Sequence, residues 1–226
     1  MSDLDFLMAQ TLVCSLGAVI SFITGYLVFN KDRSFVLNRI FTLSIGFFGL
    51  FSFMVGFSNI PILFWNGDVD IFSIRASYTF LILALLFLLL SALIIEYGPG
   101  IIYRKELIGI LAVTIALNLG IIWLTDSVLH TDILGDIVTS TLFKIVVFGT
   151  SIISFVLMYY FYFKTFRASE GHVRERMRLF LVGLTFGALA LIGGVLSDFI
   201  RVLDLIDFLL IVIMGLFFYL GFRRSE

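Results

Sequence analysis

The stretch FSIRASYTFLILALLFLLLSALIIE, residues 72–96, decides the fold. Residues 76–95 within it carry no charge, and about 20 apolar residues at ~1.5 Å rise each are what a helix needs to cross the hydrocarbon of a bilayer. Working outward, the same rule gives seven expected spans, at residues 6–29, 36–60, 72–96, 106–125, 137–163, 177–200 and 204–222. A membrane β-barrel would alternate apolar and polar residues over segments of about ten, and these runs do not alternate. With no water at that depth to bond the backbone, the runs must be helical.

Composition agrees. Of 226 residues, 61% are hydrophobic, 16% aromatic and 14% charged, with a mean hydropathy of +1.13. A water-soluble domain keeps roughly 25% charged residues, so the chain is expected to be a multi-pass protein of the cell membrane with the lipid bilayer as its first partner. The net charge of −1 offers no excess to recruit nucleic acid. Cys14, the single cysteine, cannot close an internal disulfide and sits in an apolar run. Only Pro61 and Pro99 interrupt the chain, which favours long helices. The links are short and no repeat stands out, so residues 1–226 read as one seven-helix transmembrane domain. The opening Met-Ser-Asp-Leu-Asp lacks the basic region of a signal peptide, and the first helix is expected to be retained.

Orientation follows from the charges, because lysine and arginine resist translocation. Twelve of the fifteen basic residues fall on one set of ends: Lys31, Arg33, Arg39, Arg104, Lys105, Lys164, Arg167, Arg174, Arg176, Arg178, Arg223 and Arg224. The opposite ends are acidic, holding Asp3, Asp5, Asp68, Asp70, Asp126, Asp132, Asp136, Asp198, Asp204 and Asp207 against Arg75, Lys144 and Arg201. The alternation predicts an amino terminus outside and a carboxyl terminus in the cytoplasm.

Small residues let helix backbones approach in lipid. They form stripes at Gly183, Gly187, Ala190, Gly194 and Ser197, at Cys14, Ala18, Ser21 and Gly25, at Gly49, Ser52, Gly56 and Asn59, and at Ala112, Ala116 and Gly120. The sixth, first, second and fourth spans are therefore expected to form the tightly packed core, with an oligomer through such a face as the second reading. The run Met158-Tyr159-Tyr160-Phe161-Tyr162-Phe163 reads as an aromatic belt at the cytoplasmic boundary.

The common catalytic constellations are missing from the sequence. His130 and His172, the only histidines, fall in links on opposite sides, and no Walker loop, Gly-x-Ser-x-Gly elbow or His-Glu-x-x-His motif occurs. The seventh span has no lysine for a retinal Schiff base. No enzymatic activity, metal or cofactor is expected. The informative group lies toward the outer leaflet. Lys144 falls about seven residues into its span, roughly 10 Å deep at helical rise, where an unpaired ammonium costs up to about 3 kcal/mol. With Asn59, Arg75, Asp198, Arg201, Asp204 and Asp207 it would form a polar crown at the outer mouth. The plainest reading is an ion-paired rim; a ligand-binding or ion-sensing pocket is the second and an ion path the third. On the inner side, Arg167, Arg174, Arg176 and Arg178 read as a positive-inside anchor, and second as a docking surface for an acidic cytoplasmic partner.

Two further stretches, LFLLLSALIIEYGPG at residues 86–100 and VRERMRLFLVGL at residues 173–184, resemble the seven-helix amino-terminal sensor region of membrane histidine kinases, in its stand-alone form without a kinase module. The layout matches over nearly the whole chain, and the family's output module would begin where this sequence stops. The resemblance implies a sensing or signal-transducing unit that acts through a membrane or cytoplasmic protein partner. The alternatives are a structural or assembly subunit of a larger membrane complex and, third, a small transporter or channel.

Overall fold

The computed structural model describes residues 3–65, 70–125, 128–130, 137–196 and 202–223. Seven helices in it are long and apolar enough to cross a membrane. The first is α1 (Asp3–Lys31); α2 (Val36–Ser58) and the short α3 (Ile60–Trp65) make the second; α4 (Ile71–Tyr97) and α5 (Lys105–Leu124) are the third and fourth. The fifth combines α6 (Thr141–Phe143), a π-helical turn (Lys144–Phe148) and α7 (Gly149–Ala168), and α8 (Gly171–Leu196) and α9 (Val202–Arg223) complete the set.

Local chemistry explains where the helices stop. Asp70 caps α4, its carboxylate accepting from Phe72 N at 3.0 Å and from Ser73 Oγ. The same helix ends at Gly98, whose φ of 81° suits a residue without a Cβ, and Pro99 then opens a 3-10 turn over Pro99–Tyr103. Pro61 is tolerated because it lies in the first turn of α3, where a missing N–H breaks no helical bond.

Two boundaries differ from those expected. The fifth span does not begin at residue 137: Ile137–Thr139 is a strand paired antiparallel with Val128–His130, Val128 opposite Thr139. Three consecutive β-branched residues favour that extended backbone. The helix starts only after Ser140, whose hydroxyl accepts from Phe143 N. The fifth span runs on to Ala168 and the sixth starts at Gly171 rather than 177, so the expected link at residues 164–176 reduces to Ser169 and Glu170. Arg174, Arg176 and Arg178 lie on helical turns, since Arg and Glu are good helix formers and carry α8 past its apolar part.

The helices pack as a ring in the order α1, α2, α4, α7, α8, α9 and back to α1, with α5 outside it against α4. Gly56 meets Cys14 and Gly49 meets Phe22 and Ser21 across α1 and α2; Gly183 and Gly187 receive Phe218 and Met214 of α9. Those stripes pack as expected, save that Ser197 of the sixth span lies outside the described residues. The fourth span does not: Ala112 and Ala116 are exposed, and a Cβ on Gly109 or Gly120 would meet nothing within 4 Å. A small-residue stripe has the same composition whether it faces a helix or lipid.

The ring's interior is filled by Phe41, Phe180, Phe218 and Phe222 with Leu85, Leu88, Leu184 and Met214. Phe41 lies 4.4 Å, centroid to centroid, from Phe222 and 5.7 Å from Phe180. The run 158–163 is split by helical period: Met158 and Tyr162 belong to this core, whereas Tyr159, Tyr160 and Phe163 are exposed. Only the latter three suit a belt. A second apolar cluster, Ile74, Ile82, Leu86, Ile122, Phe143 and Val147, ties α4 to the far half of α5 and to the fifth span. The outer surface is apolar, with Leu12, Val113 and Ile153 all exposed. A soluble protein seldom presents so continuous an apolar exterior.

Candidate functional site

The bundle has two chemically distinct ends. At one, Lys31 of α1 donates to Phe222 O of α9 at 3.1 Å, Glu96 of α4 forms an ion pair with Lys164 of α7, and the Arg174 guanidinium of α8 lies 5.0 Å from the Phe166 ring centroid. The basic ends of α1, α7, α8 and α9 and the Glu96 end of α4 are thus together. Arg167 and Arg178 are exposed there, and Arg176 is half-buried. Glu96 was not singled out by sequence, although its bridge to Lys164 joins two neighbours in the ring; Thr165 also donates to it, at a long 3.5 Å.

At the other end the polar residues serve separate helix pairs. Asn59 donates from Nδ2 to Gln10 Oε1 at 2.9 Å and to Thr11 Oγ1 at 3.3 Å, tying α2 to α1. Arg75 donates to Trp123 O at 3.2 Å and Thr125 O at 3.4 Å. It thereby serves the orphan carbonyls and negative dipole end of α5. Trp123 Nε1 in turn donates to Thr79 Oγ1 at 2.9 Å, a second tie between α4 and α5.

Lys144 is partly buried and opens the π-helical turn. Such turns insert an extra residue into a helix and recur at functional sites. Asp207 is the most enclosed charged side chain of the group among the described residues, 7% exposed on α9. Its carboxylate rests against Gly193 and Gly194 of α8, where a Cβ on Gly193 would fall on Oδ1. Asp198 and Arg201 lie outside the described residues, as does the side chain of Asp204, whose backbone belongs to α9. Among the described residues, then, the crown is distributed: Asn59 at α1/α2, Arg75 at α4/α5, Asp207 at α8/α9.

Buried polar contacts between helices were not visible as a site in the sequence. Tyr162 Oη and Ser91 Oγ lie 3.0 Å apart between α7 and α4. Asn118 donates to Thr150 Oγ1 at 3.1 Å and to Thr114 O at 2.9 Å, fixing α5 to α7. The Asp207 niche had one legible signal, the Gly193-Gly194 pair, which nothing in the chain tied to position 207. Among the described residues no group of three or more His, Cys, Asp or Glu side chains assembles.

Seven apolar helices with a lipid-like exterior define the architecture of a multi-pass membrane protein. No family model, curated protein or solved structure matches the chain.

Proposed function

We propose that the chain is a signal-transducing protein of the cell membrane, amino terminus outside, that acts through a membrane or cytoplasmic partner. The observation that carries this reading is the placement of Asp207 against Gly193 and Gly194, because α8 runs unbroken from that contact to its basic end. Between Gly193 and Arg178 lie roughly 22 Å at ~1.5 Å per residue. A change in charge or occupancy at the enclosed carboxylate alters the fit of α8 on α9, and close-packed helices pass such a shift along as rigid elements. The two-residue connection at Ser169 and Glu170 couples it to α7. Arg167, Arg174, Arg176 and Arg178 would then present the displacement to an acidic partner.

Hydrogen exchange on Asp207→Asn tests the coupling. Faster exchange at amides 171–178, with Thr114–Asn118 of α5 unchanged, is the expected result; unaltered exchange at 171–178 defeats the lever. The second reading, a structural subunit of a larger complex, draws on the open face of α5. A subunit of that kind would be unstable when purified without neighbours, whereas a transducer survives alone in detergent. A transporter or channel has less support, because Phe41, Phe180 and Phe218 occupy the ring's interior.

A further inference from the structure

The α5 helix is seated at one end only. Its buried residues are Asn118 and Ile122, both in the half that Arg75 and Trp123 tie to α4. Toward its amino terminus the 3-10 turn at Pro99–Tyr103 intervenes between the two helices, and an apolar groove of about 260 Å³ opens, lined by Leu90, Ile102, Leu107, Ile108, Leu111 and Ile115 among others. That volume is below the roughly 300–1,000 Å³ of typical small-molecule pockets and suits a slender chain. From Leu107 to Ile115 it runs about 12 Å along the helix.

Its mouth is cationic. Arg104 and Lys105 lie between the lining residues Ile102 and Leu107, and both are exposed. Helical spacing sets them on the groove's own stripe, 104–108–111–115 and 105–108–112. Neither forms an ion pair among the described residues. Glu106 does not cancel them, since it lines a separate depression on the other flank of α5 with Gly109, Ile110 and Val113. Tyr103, 78% exposed beside them, is a ring with a polar tip, the kind that settles at headgroup depth.

We infer that the groove between α4 and α5 is a binding site for one anionic phospholipid, an acyl chain lying along Leu107, Ile108, Leu111 and Ile115 and the phosphate against Arg104 and Lys105. Charge complementarity selects the occupant: a zwitterionic lipid fills the apolar part equally well but gains little at the mouth. The inference is independent of the transduction reading.

Native mass spectrometry of the full chain, released from micelles containing equal phosphatidylglycerol and phosphatidylcholine, tests it. One phosphatidylglycerol should be retained in preference, and Arg104→Gln with Lys105→Gln should reduce that retention about fivefold for each cation removed. Arg174→Gln with Arg178→Gln should leave it as in the native chain. Ala112→Phe, which fills the groove, should remove both lipids. Equal retention of the two lipids, no change on neutralising Arg104 and Lys105, or an equal loss on neutralising Arg174 and Arg178 overturns the site. If Ala112→Phe fails to fold, the exposed Arg104 and Lys105 variants decide alone; if it folds and keeps the lipid, the groove is wrong.

Discussion

Single residues set the tolerances of the bundle. Gly193 leaves room for the Asp207 carboxylate and nothing more, so Gly193→Ala should destabilise by about 1–3 kcal/mol, as overpacking does. Gly46 sits in the middle of α2 with open space where a Cβ would go, and Gly46→Ala should raise stability by about 0.5–1 kcal/mol through backbone entropy. Thermal unfolding of the purified protein in detergent measures both. At the Tyr162–Ser91 contact, Tyr162→Phe and Ser91→Ala should prove non-additive, with a coupling of about 0.6 kcal/mol in a double-mutant cycle, the average for hydrogen bonds between membrane helices. Strict additivity would mean that the hydroxyls do not bond. None of these pairs was legible beforehand. A glycine beside another glycine, as at Gly193 and Gly194, says only that something comes close, and what comes close is decided by a helix elsewhere in the chain.

Elements differ in how much of themselves the sequence discloses. The turn between α1 and α2 is local: Asp32 accepts from Ser34 Oγ at 2.7 Å and from Ser34 N at 2.9 Å. These bonds hold its carboxyl below the ordinary aspartate range. A carboxyl whose folded pKa is depressed stabilises the folded turn above its unfolded pKa, and that contribution disappears as pH falls through the lower folded value. Protection of the Ser34 amide should therefore persist through neutral pH and fade on acidification, and Asp32→Asn should remove the pH dependence. The fourth span, by contrast, misleads. Its stripe of Ala112, Ala116 and Gly120 matches that of the first, second and sixth spans, yet α5 is the outlying helix. Ala116→Leu should leave detergent stability within about 0.5 kcal/mol of the native chain, whereas Ala84→Leu, in the core of α4, should cost about 1–3 kcal/mol. The strand at Ile137–Thr139 was hidden for a related reason: β-branched apolar residues serve a strand and the start of a membrane helix alike, and only the pairing with Val128–His130 separates them.

The whole molecule is a ring of six long helices with α5 outside it, one end basic and the other carrying Asn59, Arg75 and Asp207. Seven crossings would place the two termini on opposite sides, so on the proposed orientation reporters fused to each terminus should report from different compartments, the carboxyl-terminal one from the cytoplasm; a shared compartment would contradict both the count and the proposed outward face. The number of spans and their alternation could be read residue by residue, because transfer of a 20-residue run into hydrocarbon depends on that run and the solvent alone. Which helices touch could not. Neighbours in the ring, the exile of α5, the splitting of the polar crown among three helix pairs and the enclosure of Asp207 all depend on shape complementarity between segments far apart in the chain. In lipid, where apolar surface gains little by leaving its solvent, that fit rather than hydrophobicity chooses the partners.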